Sequence, residues 1–317
     1  MNAIIRTHAI VLAACAFLFT GFTDVVKAQP SAERVFVFGD SLSDPGNIYA
    51  LTGETAKAPY APIPSAPYAV GGHHFSNGKT WAEKVAQGLN DINGGKPARE
   101  KPGHYGNYAH GGARARTVIG AAVPSSVEQV ELFLGDLGGA PGNALYVLQF
   151  GGNDLRDALV AGMSDPAAVE PIMTAAIQEL AFAVQKLYMA GARNFLVANA
   201  PNIEHAPVVR FSGAGPIAGY LTGIFNGNLE GALQMLEIGL PGINIQRLDF
   251  ADFVNDVAAA PSEFGIANAM APCLTFLVET DAKCSDPDLH FFWDGLHPAR
   301  VGHYGLAERA LAVIAGN

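Results

Sequence analysis

Positive charge is scarce in this chain. Of its 317 residues only 15% are charged, and 19 Lys and Arg stand against 29 Asp and Glu, a formal net charge of −10. The basic residues form no cluster. That excludes the electrostatic footprint of a nucleic-acid binder or of a protein held to an anionic membrane surface. No H-E-x-x-H, no Walker loop and no G-x-G-x-x-G followed by a suitable acid occurs, and the Gly-x-Ser-x-Gly elbow of α/β-hydrolases is absent too. His73, His74, His104, His110, His205, His290 and His303 show no metal-ligand spacing. No metal and no cofactor is expected. There are no internal repeats and no heptads.

Cysteine is nearly as rare, at three residues, and its placement is informative. The first 28 residues carry Arg6, an apolar run from Ala9 to Phe22 and a small-x-small stretch, Val26-Lys27-Ala28, before Gln29. This is the layout of a secretory signal peptide, and its apolar core is short for a membrane span. Leu12-Ala13-Ala14-Cys15 resembles a lipoprotein box, but the apolar run continues past Cys15 and argues against lipidation. Residues 29–317 are then expected as one exported domain, secreted or periplasmic. No further stretch reads as long and apolar enough to span a membrane, so no stable insertion is expected after cleavage. A chain of this length buries about three quarters of its unfolded surface in one core. Cys273 and Cys284 remain, eleven positions apart. In an oxidising compartment they most simply form one disulfide, which contributes roughly 3 kcal/mol in the chain-entropy model.

Strand-like and helix-like runs alternate along the chain. Arg34–Phe38, Ala144–Phe150, Asn194–Ala198 and Asn244–Leu248 read as buried strands. Trp81–Leu89, Ser125–Leu137, Ala167–Ala190, Pro216–Ile238 and Val301–Ala315 have helical spacing, and Ser125 with Glu128 makes a capping box. Strands that are apolar throughout, separated by helices, predict an α/β fold with a central parallel sheet covered on both faces. Sites in such sheets lie beyond the carboxyl ends of the strands. The polar phrases Gly39-Asp40-Ser41 and Gly151-Gly152-Asn153-Asp154 follow strand ends. Residues 45–75, with five prolines, read as one long stiffened loop.

Nucleophilic cleavage of an ester needs a nucleophile, a base, an orienting acid and donors for the oxyanion. Ser41 follows a strand in F-G-D-S-L-S-D, Phe38–Asp44. Asp294 and His297 stand three apart in F-F-W-D-G-L-H-P, Phe291–Pro298, where a tight turn can bring carboxylate and imidazole together. Asp40, Asp44 and Asp154 are expected to satisfy turn backbone. Asp286 and Asp288 read as a solvated acidic loop, with a calcium site as the alternative. Phe291, Phe292 and Trp293 read equally as pocket lining and as core.

Taken together, F-G-D-S-L-S-D, N-Y-A-H-G-G-A at Asn107–Ala113, G-G-N-D at Gly151–Asp154 and D-G-L-H at Asp294–His297 resemble, in order, the four sequence blocks of the GDSL/SGNH hydrolases. F-S-N-G-K-T-W at Phe75–Trp81 is similar to a segment of the lecithinase-like and plant-lipase-like branches. The resemblance implies a three-layer α/β/α, flavodoxin-like fold and a serine ester hydrolase, an esterase or lipase that extends to phospholipase-like activity. It implies Ser41 as nucleophile, His297 as base and Asp294 as orienting acid. The oxyanion donors would be the Ser41 N–H, the Asn153 amide and a glycine N–H from Gly112 or Gly111. The partner would be a small-molecule or lipid ester. The same scaffold carries two other readings, acyl transfer to an alcohol and non-catalytic surface binding. The oligomeric state is not legible.

Overall fold

The four runs read as buried strands pair side by side in chain order. In the computed structural model, which describes residues 33–316, β1 (Val35–Gly39), β2 (Leu145–Gln149), β3 (Asn194–Ala198) and β4 (Asn244–Leu248) form one parallel sheet. The register is continuous, from Val35 opposite Leu145 to Gly39 opposite Gln149, and likewise across the next two pairs. A further segment lies along the free edge of β1. The Val37 N–H donates to the Gly106 carbonyl, and the Tyr108 and His110 N–H groups donate to the Val37 and Gly39 carbonyls. With that edge counted, the spatial order is 2-1-3-4-5, the flavodoxin-like order of doubly wound folds.

Helices cover both faces. They run in chain order as α1 (Asn47–Thr52), α2 (Trp81–Gly88), α3 (Ser126–Leu137), α4 (Gly152–Gly162), α5 (Val169–Met189), α6 (Pro207–Phe211), α7 (Gly215–Gly239), α8 (Phe250–Ala259) and α9 (Arg300–Ala315). On one face Phe36, Phe38, Tyr146 and Phe195 pack with Phe133 of α3, Leu155 of α4, Leu180 of α5 and Phe225 of α7. On the other, Val35, Val37, Val147 and Leu196 meet Trp81 of α2, Phe253 of α8 and Leu306 of α9. The alternation that period-2 geometry imposes on a strand thus feeds two separate cores. This is the three-layer α/β/α arrangement implied by the sequence.

Most helix readings hold to within a residue or two, and the Ser125–Glu128 capping box is formed. Four helices were not anticipated, among them the five-residue α6. α4 starts inside the Gly-Gly-Asn-Asp phrase with no side-chain cap, so it carries no start signal. α8 is capped by Asp249, which accepts the Asp252 N–H at 2.9 Å, and buries Phe250, Phe253, Val254 and Val257 on one face. α1 is a short helix inside the expected loop. One reading needs correction: the segment Pro166–Met189 has the length and apolar composition of a membrane span, 24 residues at mean hydropathy 1.3. Its apolar face, including Met173, Ile177, Leu180, Val184 and Leu187, is buried in the core, and core burial accounts for that composition. The proposed leader, residues 1–28, lies outside the described residues.

A second, two-stranded sheet pairs β5 (Asn268–Pro272) with β6 (His290–Phe292). The Cys273–Cys284 disulfide is formed beside it, with the Cα atoms 5.0 Å apart. The N–H groups of Cys273 and Leu274 donate to the carbonyls of Phe292 and Trp293, so the bridged loop grips the residues immediately before Asp294. Replacing both cysteines by serine is expected to lower the unfolding free energy by about 3 kcal/mol, the loop-closure magnitude. Urea denaturation of the double variant checks this.

Candidate active site

Ser41 lies two residues past the end of β1, and Asn153 lies four past the end of β2. Because Gly39 stands opposite Gln149, both emerge at the same edge of the sheet. Asp294 and His297 arrive from the far end of the chain, on the turn between β6 and α9. Ser41 Oγ is 2.8 Å from His297 Nε2, and His297 Nδ1 is 2.8 Å from Asp294 Oδ2. With Nδ1 facing a carboxylate, that nitrogen carries the proton, and Nε2 is left to accept from the serine hydroxyl.

Asp294 is fully buried and saturated with donors. Its Oδ1 accepts the N–H groups of Leu296 and His297, each at 2.8 Å. Its Oδ2 accepts the Tyr68 hydroxyl at 2.9 Å as well as the imidazole. A buried carboxylate is tolerable when so satisfied. Tyr68 was not anticipated as a site residue. It comes from the proline-rich loop, 226 positions away in sequence, and only its place between prolines and F-S-N-G hinted at a role. Trp293 packs edge-on against the Tyr68 ring, with ring centroids 5.7 Å apart. Trp293 is therefore core packing, whereas Phe291 and Phe292 are buried and also line the cleft.

The loop that delivers Tyr68 is stitched to the same turn. Gly295 donates its N–H to the Pro62 carbonyl, and a Cβ at this glycine would sit 2.3 Å from that oxygen. The F-S-N-G segment clamps the far side. Ser76 Oγ donates to the Pro298 carbonyl at 2.8 Å, Asn77 Oδ1 accepts the Arg300 N–H at 2.7 Å, and the Phe75 ring lies 5.4 Å from the imidazole.

Two glycines follow His110, and their surroundings differ. The Gly111 N–H donates to Asp44 Oδ2 at 2.8 Å, and a Cβ there would collide with the Phe75 ring at 2.1 Å. Gly112 has φ +80°, the left-handed region, with open space where a Cβ would be. Neither its N–H nor that of Ser41 donates to any acceptor among the described residues. Asn153 Nδ2 donates to the Ala113 carbonyl at 2.9 Å, leaving the second amide hydrogen unspent on that bond.

The remaining aspartates serve backbone, as expected. Asp44 accepts the N–H groups of Gly46, Asn47, Ile48 and Gly111. Asp154 accepts the Ala115 N–H at 2.8 Å and pairs with Arg116 at 2.7 Å. Asp40 accepts from Leu42 and from Gln149 Nε2. In the acidic loop, Asp288 pairs with Arg300, whose guanidinium beside it lowers the carboxyl below its usual range. That occupies one of the two carboxylates weighed for calcium.

Ser41, Asn153 and His297 open onto one cleft. Its walls are largely apolar, from Leu42, Ile203, Val209, Val254, Phe292 and Leu296. Such a site admits an apolar group beside a nucleophile and offers few polar anchors.

The family model for GDSL-like lipases and acylhydrolases matches residues 35–310. The thermolabile hemolysin of Vibrio parahaemolyticus is 28% identical over 306 residues, covering 91% of this chain. The chain spans only 65% of that protein's length. Two GDSL esterase/lipases of Arabidopsis thaliana are 25% and 24% identical, over 90% and 99% of both partners in each comparison.

Two measurements follow from this geometry. Tyr68→Phe strips one donor from a buried carboxylate and is expected to cost about 2 kcal/mol of unfolding free energy, read by urea denaturation. Burial pushes the Asp40 carboxyl up to about 6. Its folded value therefore exceeds the unfolded one of 3.8, so the stability it contributes is present below about pH 4 and is lost as pH rises through 6. Asp40→Asn removes that titration. Its stability relative to the parent is expected to rise by about 3 kcal/mol between pH 4 and pH 7, measured by denaturation at both.

Proposed function

This chain belongs to the family of GDSL-like lipases and acylhydrolases, and on that footing we propose that it hydrolyses carboxylic esters with Ser41 as nucleophile. The observation that carries the reading is the unbroken hydrogen-bond line from Ser41 Oγ through His297 to Asp294 Oδ2. His297 Nε2 takes the hydroxyl proton as Ser41 Oγ attacks the carbonyl carbon. The proton is then returned to the departing alcohol, leaving an acyl-serine. Water, deprotonated at the same Nε2, attacks that acyl group and releases the acid. Asp294 holds the imidazole in the tautomer this needs and balances the imidazolium charge that forms.

The tetrahedral oxyanion would be met by the N–H groups of Ser41 and Gly112 and by the Asn153 amide. Asp44 supports the choice of Gly112, because it already consumes the Gly111 N–H. Each donor is worth roughly 10² to 10³ in rate where such donors have been removed. All three are neutral, so they bind developing charge without holding an anion in the resting site.

The apolar cleft supports an acyl or alkyl chain beside the scissile bond and favours an esterase or lipase over a hydrolase of polar esters. The likeness to a hemolysin, a protein whose name implies lysis of cells, supports extending the substrates to membrane lipids. The disulfide supports an exported protein, with residues 29–317 as one hydrolase domain released from its leader into the periplasm or medium.

The purified protein is expected to release nitrophenol from p-nitrophenyl esters between acetate and palmitate. A folded Ser41→Ala variant is expected to fall by at least about 10³-fold, the scale set by removing a nucleophile of this kind. Equal rates for the two, with both folded by circular dichroism, would remove Ser41 from the chemistry. The chain-length profile of the parent separates a short-acyl esterase from a lipase.

A further inference from the structure

Helix α4 carries Asn153, Asp154, Arg156 and Asp157 on its first two turns, and their directions differ. Asp154 pairs with Arg116, and Asp157 receives both Arg114 and Arg116 at 2.7 to 2.9 Å. These four side chains lock α4 to the segment that holds Gly112. Asn153 and Arg156, three positions apart on another face, both line the cleft with Ser41 and His297.

Arg156 is the exception among the three arginines here. Arg114 makes a two-pronged pair with Asp157, and Arg116 bridges two aspartates. The Arg156 guanidinium, half-buried, donates to no acceptor and forms no ion pair among the described residues. Burial lowers it from the ordinary arginine value, and the nearby Asp157 and Asp40 carboxylates offset only part of that effect. The carboxylates in its neighbourhood, Asp157 and Asp40, are spent on Arg114 and Arg116, and on Leu42 and Gln149 respectively. Five donors in a fixed fork match a phosphate or carboxylate better than any neutral group. A partly buried cation with no direct ion pair is incompletely compensated, and a ligand that brings the opposite charge lowers that cost.

We propose that Arg156 is a specificity-determining residue that binds an anionic group of the substrate, a phosphate or carboxylate, while the ester lies at Ser41. This rests on the reading of Ser41 as an esterase nucleophile. One helical turn separates Arg156 from Asn153, a rise of about 4.5 Å along the axis, and both line the cleft that holds Ser41. Beside Asp40, Ser41, Asn153, Asn202 and His297 the cleft lining is apolar, and among the described residues that line it Arg156 is the one arginine or lysine. The substrate class is accordingly an ester with an apolar chain and a nearby negative charge.

Two substrate pairs test this and separate the sources of charge. Dihexanoylphosphatidylcholine against dihexanoylglycerol differs in the phosphate-bearing headgroup; mono-p-nitrophenyl adipate against p-nitrophenyl hexanoate differs in a carboxylate. In at least one pair the parent is expected to prefer the charged member in kcat/KM. Arg156→Ala is expected to lower that preference by about tenfold or more, the scale of a charge-assisted bond, with Arg156→Lys keeping part of it. A preference unchanged in both pairs overturns the proposal, as does a variant that slows both members of each pair equally. Calorimetric binding of hexyl phosphate to Ser41→Ala protein needs no turnover. Affinity is expected to fall about tenfold in the Ser41→Ala/Arg156→Ala protein, and equal affinity in the two overturns the proposal. Should the parent hydrolyse no ester yet bind hexyl phosphate through Arg156, the hydrolase reading fails while the anion site stands.

Discussion

The parallel pairing of β1 with β2 is the constraint on which the rest of the site depends. Parallel strands align their carboxyl ends, so whatever follows Gly39 and Gln149 must emerge at one edge. Ser41 and Asn153 are neighbours for that reason, although they are 112 positions apart in the chain. A slip of one residue in this register would turn the apolar side chains of a strand to the opposite faces. Here it would exchange Phe36 and Phe38, packed under α3, for Val35 and Val37, packed under α2 and α9. Two full cores therefore hold the geometry of one small site.

A second constraint is the buried charge of Asp294. No carboxylate survives removal from water unless its lone pairs are filled, and four donors fill these. Two are N–H groups of its own turn, one is His297, and one is the Tyr68 hydroxyl. The last of them explains why a proline-rich loop is ordered over the site. The loop is held by the turn it covers, through Tyr68 to Asp294 and through Pro62 to Gly295, and the disulfide loop secures the same turn from the other side. Segments that look like separate surface features share one anchoring point.

The opposite wall of the cleft is organised by charge. Asp154 and Asp157 bind α4 to Arg114 and Arg116, while Asn153 ties to the Ala113 carbonyl. These contacts fix the Gly112 N–H relative to the Asn153 amide, as the oxyanion role proposed for the two donors requires. Arg156 is left over from that network and faces the cleft, where a substrate would decide its partner.

Much of this was legible in the residues themselves. Continuous apolar runs and apolar spacing near 3.6 marked the four strands and most long helices, because a strand covered on both faces and a helix packed on one face demand those patterns. The phrases around Ser41, Gly111, Gly112, Asn153, Asp294 and His297 named the candidate site residues, since short motifs at strand ends leave local signatures. The Cys273–Cys284 pairing was legible because the third cysteine, Cys15, falls in the leader that the sequence predicts. Other features left no such signature. α4 begins on glycines without a cap, and α8 escaped notice although its four buried residues have helical spacing. The choice between Gly111 and Gly112 rests on which N–H Asp44 takes, and the role of Tyr68 on a hydrogen bond spanning 226 positions. The unpartnered state of Arg156 follows from the spending of nearby carboxylates elsewhere. Sequence determined which residues could act, because composition and period are local; tertiary structure decided which donors were already spent, because hydrogen bonds between distant segments form only once the chain has folded.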